Sequence, residues 1–268
     1  MDDREQRQDL RAVFDEEAEA YDRVRPVCPD RLFDDLVDAA RLAPGDRVAE
    51  IGCGTGQASV PLAERGLAVT AIELGAELAA VARRRLAAFD SARVLSVPFE
   101  EWEPEPGDAP FDAVVAFNSL HWIDPRRRYA KPYALLRPGG ALVVGGCRWA
   151  RPTDAHPFWA DVQEDYRAVG YEGDPPPPPE EIGPWRLPPE ACSSFDEVAS
   201  LCHPFTVRYS SAEYLAFLAT QSGTHALGAE RSAEFLGRVR DRLDSLGSPR
   251  LTATFVGLLT VGRRRERT

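Results

Sequence analysis

The stretch EIGCGTG at residues 50–56 decides the fold of this chain. Residues 48–51, which are apolar except for Glu50, predict a short buried strand, and residues 57–64 predict a helix that ends before Gly66. Glycines at such a junction let the main chain turn sharply, and they let a ligand lie against the backbone because they carry no Cβ. The stretch therefore predicts a ligand-binding turn at the carboxyl end of the first strand.

Strands and helices alternate beyond this turn. Strands separated by helices are joined by right-handed crossovers, which produce a parallel sheet covered on both faces. We therefore predict an α/β fold with a Rossmann-like doubly wound sheet. The predicted strands are residues 48–51, 68–73, 92–97, 111–117 and 141–147, with helices at 57–64 and 76–89. Further along, the sequence predicts a helix at 158–168, loop to about Pro204, a strand at 207–209, helices at 212–220 and 230–246, and a closing strand at 251–261.

Charge and composition exclude several classes of function. The net charge of −11 and the pI near 5.0 argue against a nucleic-acid partner or an anionic membrane surface, because phosphate binding depends on clustered Lys and Arg. The charged N-terminus and the lack of a long apolar run predict no secretion signal and no membrane span, hence a cytoplasmic protein. The five cysteines include no CxxC pair, so we expect reduced thiols and no metal site.

An acidic residue stands at the end of the second predicted strand. Glu73 follows Gly52 by 21 positions. A carboxylate at that place can accept hydrogen bonds from both hydroxyls of a ribose. The turn and Glu73 together predict a ligand of the adenosine type.

Two classes of adenosine ligand compete for this turn. Dinucleotide enzymes use GxGxxG and place a pyrophosphate at the bare N-terminus of the next helix. Here the spacing is GxGxG, and Glu50 lies two residues before it. A carboxylate there repels a pyrophosphate and suits an ammonium group, so the cationic ligand is favoured.

The sequence resembles the class I S-adenosylmethionine-dependent methyltransferases, in particular the small-molecule group similar to trans-aconitate methyltransferase. The resemblance covers most of residues 10–147 and, more weakly, the last sixty. Its motifs are EIGCGTG (50–56), AIEL (71–74), VPFEEW (97–102), FDAVVAFNSLHW (111–122) and LLRPGGALVV (135–144). The resemblance implies a seven-stranded sheet, S-adenosyl-L-methionine as cofactor and methyl transfer to a small-molecule acceptor.

The resemblance also implies four regions in the chain. They are an N-terminal helical cap (1–45), a cofactor-binding core (46–148), an inserted lid or substrate region (149–205), and C-terminal helices and closing strands of the same domain (206–268). The lid region is rich in aromatic residues, which suit either the walls of an acceptor pocket or core packing.

Roles for individual residues follow from the same resemblance. Glu50 lies near the cofactor ammonium, Glu73 holds the ribose, and Glu100 faces the adenine amino group unless it is an ordinary solvated charge. The full set of implied cofactor-binding residues is Glu50, Gly52, Gly54, Gly56, Glu73, Leu74, Phe99, Glu100 and Asn118.

Candidate acceptor-binding residues come from two segments. His121 and Trp122 follow the fourth predicted strand, where side chains border the cofactor crevice, and His121 is either a general base or a packed turn residue. Tyr21 and Arg25 belong to the cap, and Arg25 pairs with an acceptor carboxylate or clamps the cap to the domain. Cys28-Pro29 replaces the Tyr-Pro common in the family, which weakens any transfer of acceptor contacts to this segment.

Three other functions remain open from sequence alone. The fold can catalyse a non-methylating reaction such as a cyclisation, in which case the product mass is unchanged by methylation. A nicotinamide-dependent dehydrogenase would respond to NAD and not to S-adenosylmethionine. A binding protein would show cofactor affinity without turnover.

Overall fold

The computed structural model describes residues 22–154, 156–171 and 173–266. These residues divide into two compact units. The first, here the core unit, comprises residues 27–147, 184–203 and 257–266. The second, here the companion unit, falls within residues 22–26, 148–183 and 204–256.

The core unit contains the alternating elements that the sequence predicts. Helix α1 (Asp30–Ala40) buries Leu32, Phe33, Leu36 and Ala40 at helical spacing, and the next residue, Arg41, caps it in the left-handed conformation. Its elements are α1 (Asp30–Ala40), β1 (Arg47–Ile51), α2 (Ser59–Glu64), β2 (Ala68–Glu73), α3 (Ala76–Leu86), β3 (Arg93–Ser96), β4 (Phe111–Phe117), a 3-10 turn (Leu120–Trp122), α4 (Ala130–Leu135) and a short helix (Pro189–Cys192). Three long strands have residues in both units: β5 (Leu136–Ala150), β6 (Phe195–Tyr209) and β7 (Leu251–Arg264).

The strands form a seven-stranded sheet of order β3-β2-β1-β4-β5-β7-β6 among the described residues. Strand β1 pairs in parallel with β2 on one side and β4 on the other, while β3 and β5 continue the parallel set outward. The strand order reverses between β1 and β4, and ligands of such sheets bind at the carboxyl ends of the strands beside that reversal. The turn at residues 50–56 lies at this place.

Helices and loops cover both faces of the sheet. Alternate residues of a strand point to opposite faces, and neighbouring residues of β1 accordingly belong to two different apolar clusters, Val48 to one and Ala49 to the other. Helix α1 contributes to the Val48 cluster, whereas Phe99 and Trp102 contribute to the Ala49 cluster. The predicted doubly wound α/β class is confirmed.

The companion unit has a separate aromatic core. Phe158, Tyr214, Phe217 and Phe235 are almost completely buried there. All four come from three helices, Phe158–Ala168, Ser211–Ala219 and Ala229–Ser245. Phe158 therefore serves core packing rather than a pocket wall.

Two boundaries differ from the sequence prediction. The prediction of loop up to Pro204 is wrong, because β6 begins at Phe195. Strand β6 is last in the sheet order, and an edge strand accommodates Pro204, whose missing N–H is not needed for pairing on the open side. Strand β5 begins at Leu136, five residues earlier than predicted, because a bulge opposite Phe111 and Ala113 absorbs the glycines at 139–140.

Candidate functional site

The turn after β1 has a backbone that only glycine adopts readily. Gly52, Gly54 and Gly56 have φ angles of 62°, 56° and 85°. A Cβ on Gly52 would lie 2.7 Å from Cβ of Ser119, whereas a Cβ on Gly54 would meet no atom within 4 Å. Gly52 thus permits close packing of two loops, and Gly54 leaves open space beside its backbone.

Glu73 fixes this turn from the neighbouring strand. One carboxylate oxygen accepts the Gly54 N–H at 2.8 Å, and the other accepts the Gly75 N–H at 2.9 Å. Each carboxylate oxygen has a second lone pair, so these bonds leave acceptor capacity for further donors. The sequence predicts a ribose partner for Glu73, and the structure adds that the same carboxylate joins the loops after β1 and β2.

Glu50 is an acid buried beneath the turn. Its side chain is 1% exposed and accepts a hydrogen bond from the Ser59 hydroxyl. Burial raises the pKa of Glu50 from 4.5 to about 8; the Ser59 bond opposes this shift, and the charge of Glu73 adds to it. Glu50 therefore holds a proton near neutral pH that a nearby cation would displace.

Two polar side chains of the turn were not anticipated from the sequence. Thr55 Oγ1 and Gln57 Nε2 are buried, and neither forms a hydrogen bond within the described part of the chain. Buried polar atoms normally have partners, so this pair fits a polar ligand lying against the turn. The available signal was their position, Thr55 inside the glycine-rich stretch and Gln57 directly after it.

The turn after β3 carries Phe99 and Glu100, and Lys131 anchors it. The Lys131 ammonium lies 5.4 Å from the Phe99 ring centroid. It donates hydrogen bonds to the carbonyls of Glu100 (3.3 Å) and Trp102 and to the carboxylate of Glu103 (2.8 Å). Phe99 itself is only 4% exposed, so most of its ring packs in the core, and its predicted contact with the cofactor stays a prediction.

The Glu100 side chain joins the turn after β3 to the chain that follows the 3-10 turn. Its carboxylate accepts the backbone N–H of Asp124 at 3.2 Å. Glu100 is partly exposed, as an adenine contact requires, while Leu74 after β2 is 41% exposed.

Asn118 ends β4 in the left-handed conformation, with a φ of 51°. Its backbone N–H donates to the Gly145 carbonyl at 2.9 Å, and its Oδ1 accepts the Cys147 N–H at 3.2 Å. The next residue, Ser119, donates its hydroxyl to the Ile51 carbonyl. The Asn118 bonds hold the loop after β4 against β5, and the Ser119 bond holds it against the end of β1.

His121 and Trp122 lie in the 3-10 turn that follows. The His121 side chain is exposed, and its ring centroid lies 4.7 Å from that of Trp122 with the planes tilted by 41°. The His121 carbonyl accepts a hydrogen bond from Arg128 at 2.9 Å. The backbone is thus fixed while the imidazole stays accessible, which suits contact with a substrate.

The two candidate residues of the predicted cap are Tyr21 and Arg25. Tyr21 lies outside the described residues. Arg25 belongs to the companion unit, where it donates a hydrogen bond to the carbonyl of Thr220. The roles predicted for Tyr21 and Arg25 in acceptor binding stay predictions.

The fold and the site together define a class of protein. A sheet of this order, a glycine-rich turn after β1 and an acid ending β2 are the features of the class I methyltransferases, which use S-adenosylmethionine as cofactor. Residues 49–142 match the family described as Methyltransferase domain. The resemblance to methyltransferases that the sequence predicts is confirmed over these residues.

Known proteins agree with this assignment. An uncharacterized methyltransferase of Mycobacterium tuberculosis is 35% identical over 169 residues, which make up 63% of this chain and 63% of that protein. Trans-aconitate 2-methyltransferase of Paracidovorax citrulli is 32% identical over 146 residues, 50% of this chain and 55% of that enzyme. A solved structure from Anaeromyxobacter dehalogenans, described as a type II methyltransferase, has a TM-score of 0.58 at 22% identity over 90% of this chain and 97% of its own, and shows the shared fold.

The chain spans less than two thirds of the length of these curated relatives. Within its described residues, no helix has the length and apolar character needed to cross a membrane.

Proposed function

We propose that this protein transfers the methyl group of S-adenosylmethionine to a small-molecule acceptor. The observation that carries the proposal is the turn at residues 50–56, which Glu73 braces from β2 and beneath which Glu50 is buried. When bound, the cofactor supplies an activated methyl group on a sulfonium. The protein then has to align the acceptor and exclude water.

The residues of the turn suit the amino-acid part of this cofactor. Glu50 would become the counter-ion of the ammonium by losing its proton, which is favourable because a nearby cation lowers the pKa of a buried carboxyl. The orphaned Thr55 hydroxyl and Gln57 amide supply additional hydrogen bonds. A pyrophosphate is an anion and would not displace this proton, so it would form no ion pair with Glu50, which disfavours a dinucleotide.

The nucleoside part would lie along the neighbouring strand ends. Glu73 would accept the ribose hydroxyls through its remaining lone pairs, with Leu74 beside it. Glu100 would accept the adenine amino group, since its carboxylate is partly exposed and its backbone is held by Lys131. Asn118 completes the set on the β4 side.

The acceptor would approach the loop after β4. His121 presents an exposed imidazole there, and Trp122 lies beside it. A base is needed only when the acceptor must lose a proton, and the imidazole can take one near neutral pH. One relative is named for a small-molecule acceptor, trans-aconitate, which supports an acceptor of that size.

Calorimetric titration with S-adenosylhomocysteine tests the cofactor site. Glu73→Ala should weaken binding at least about tenfold, because two hydrogen bonds to a charged acceptor are lost. Glu64→Ala, an exposed acid at the end of α2, is the matched control and should bind as the parent does. Equal affinity for Glu73→Ala and the parent would reject the site, and binding of NAD in place of the cofactor would reject the class.

Turnover needs a separate experiment. The protein is incubated with cofactor labelled in the methyl group and a panel of small carboxylates, phenols and amines, and products are analysed by mass spectrometry. A product heavier by one CH₂ plus the mass of the label supports methyl transfer. Tight cofactor binding together with an isomerised, unlabelled product would contradict methyl transfer and favour the cyclisation alternative.

A further inference from the structure

Two cysteines that are distant in sequence meet in the core unit. The sulfur atoms of Cys28 and Cys147 lie 2.6 Å apart, although 119 positions separate the residues. Both side chains are half-buried, and both residues carry thiols in this structure. A covalent S–S bond measures about 2.05 Å. The two thiols are therefore placed where they can be joined with very little movement.

Each cysteine lies at a point where the chain passes between the two units. The chain enters the core unit at Val27, one residue before Cys28, and leaves it at Cys147. Cys28 directly precedes Pro29 and the first turn of α1. The Cys147 N–H is bonded to Asn118, so the backbone on that side is also held.

We propose that Cys28 and Cys147 are a modification site, at which a low-molecular-weight disulfide such as oxidised glutathione converts the two thiols into a reversible intramolecular disulfide. One cysteine thiolate attacks a sulfur of oxidised glutathione, forms a mixed disulfide and releases one glutathione thiolate. The second cysteine thiolate attacks the protein sulfur of that mixed disulfide and releases the second glutathione. The two protein thiols are oxidised, oxidised glutathione is reduced to two thiols, and the two cysteine protons end on glutathione.

The other cysteines do not compete for this reaction. Burial raises the pKa of the Cys53 thiol, and it also raises the pKa of Cys202, so both form less thiolate. Cys192 is exposed and can take glutathione singly. Selectivity for the 28–147 bond thus comes from the short sulfur–sulfur distance.

The bond would hold the start of α1 to the end of β5. It would also close a loop of 119 positions, which restricts the unfolded chain and so stabilises the folded one. The expected effect is a rise of several degrees in the melting temperature of the oxidised protein, reversed by dithiothreitol. This inference rests on the two thiols alone and stands independently of the proposed methyl transfer.

Peptide mapping tests the proposal on the full chain. The reduced protein is equilibrated with oxidised glutathione, alkylated and digested with trypsin, which places Cys28 in peptide 24–31 and Cys147 in peptide 129–148. We expect these two peptides to be cross-linked in the parent and in the control variant Cys192→Ser. In Cys28→Ser we expect a glutathione adduct trapped on Cys147, with no cross-link.

Two results would overturn the proposal. One is separate glutathione adducts on peptides 24–31 and 129–148 of the parent without a cross-link. The other is a cross-link that involves a third cysteine and persists in Cys28→Ser. Because serine differs from cysteine by one atom, loss of the fold is a poor explanation for either result, and the melting temperature of each reduced variant checks this.

Discussion

Replacing Glu50 by glutamine should change how stability depends on pH. The folded protein holds the Glu50 proton up to about pH 8, whereas the unfolded chain releases it near the ordinary value of 4.5. A group whose pKa is raised by folding stabilises the folded state below its unfolded pKa, and this contribution is lost as the pH rises through the folded pKa. Glutamine has the same shape and can still accept the Ser59 hydroxyl, but it does not titrate.

The magnitude follows from the two pKa values. Each pH unit between them corresponds to about 1.4 kcal/mol, so the folded state loses about 4 kcal/mol relative to the glutamine variant between pH 5 and pH 9. The loss is steepest between pH 5 and pH 8. Below pH 4.5 the carboxyl is protonated in both states and the pH-dependent difference disappears.

Chemical denaturation at several pH values measures this difference. Parent and Glu50→Gln are unfolded in urea at pH 5, 6, 7, 8 and 9, with tryptophan fluorescence as the signal, and Glu64→Gln serves as a control at an exposed acid. The difference in unfolding free energy between the parent and Glu50→Gln should widen with pH. The difference between the parent and Glu64→Gln should stay constant. Parallel pH profiles for all three proteins would refute a buried, protonated Glu50.

The same variant separates stability from binding. If Glu50 is the counter-ion of a cationic ligand, affinity of the parent for S-adenosylhomocysteine should rise by up to about tenfold per pH unit until about pH 8. The glutamine variant should be more stable at pH 8 yet bind more weakly, without this rise. If Glu50→Gln binds S-adenosylhomocysteine with the affinity of the parent and with the same dependence on pH, the ligand ammonium does not pair with Glu50.

Three further substitutions test single contacts. Gly52→Ala should cost about 2 kcal/mol or more of unfolding free energy, measured by denaturation, because the backbone is left-handed and the new Cβ meets Ser119 at 2.7 Å; an unchanged midpoint would contradict the packing. Glu100→Ala should weaken cofactor binding by about fivefold in calorimetry while Glu101→Ala does not, and equal losses would indicate a general charge effect. His121→Gln should leave cofactor affinity intact and lower kcat by about a hundredfold with loss of the acidic limb of the pH profile, and an unchanged kcat would assign His121 to packing.

Local patterns sufficed to predict the centre of the sheet and its turn. The glycines of residues 50–56 and the acid Glu73 mark the ends of two neighbouring parallel strands, where sequence order alone brings them to the same edge. These features were predictable because each depends on contacts within one or two adjacent elements. The burial of Glu50 was not among these predictions, because the sequence predicts an ionised carboxylate at this position.

Features that depend on distant contacts were not predictable. The meeting of Cys28 and Cys147 requires two segments 119 positions apart to converge. Thr55 and Gln57 are recognisable as orphaned only when the packing around them is known. Strand β6 was missed because Pro204 is typical of loops, and only the sheet order reveals an edge position that tolerates it.

Lys131 is the only lysine in the sequence, and all the other residues counted as Lys or Arg are arginines. Acylating reagents and acetyltransferases modify amines and leave guanidinium groups unchanged. Acylation of a basic side chain in this protein would therefore occur at Lys131. Acetylation there would remove the cation that bonds the carbonyls of Glu100 and Trp102 and covers the Phe99 ring. Acylation of the lysine side chain of this protein therefore probes one buried residue, Lys131. The fraction of Lys131 that is acylated reports how often the contacts around it open to solvent.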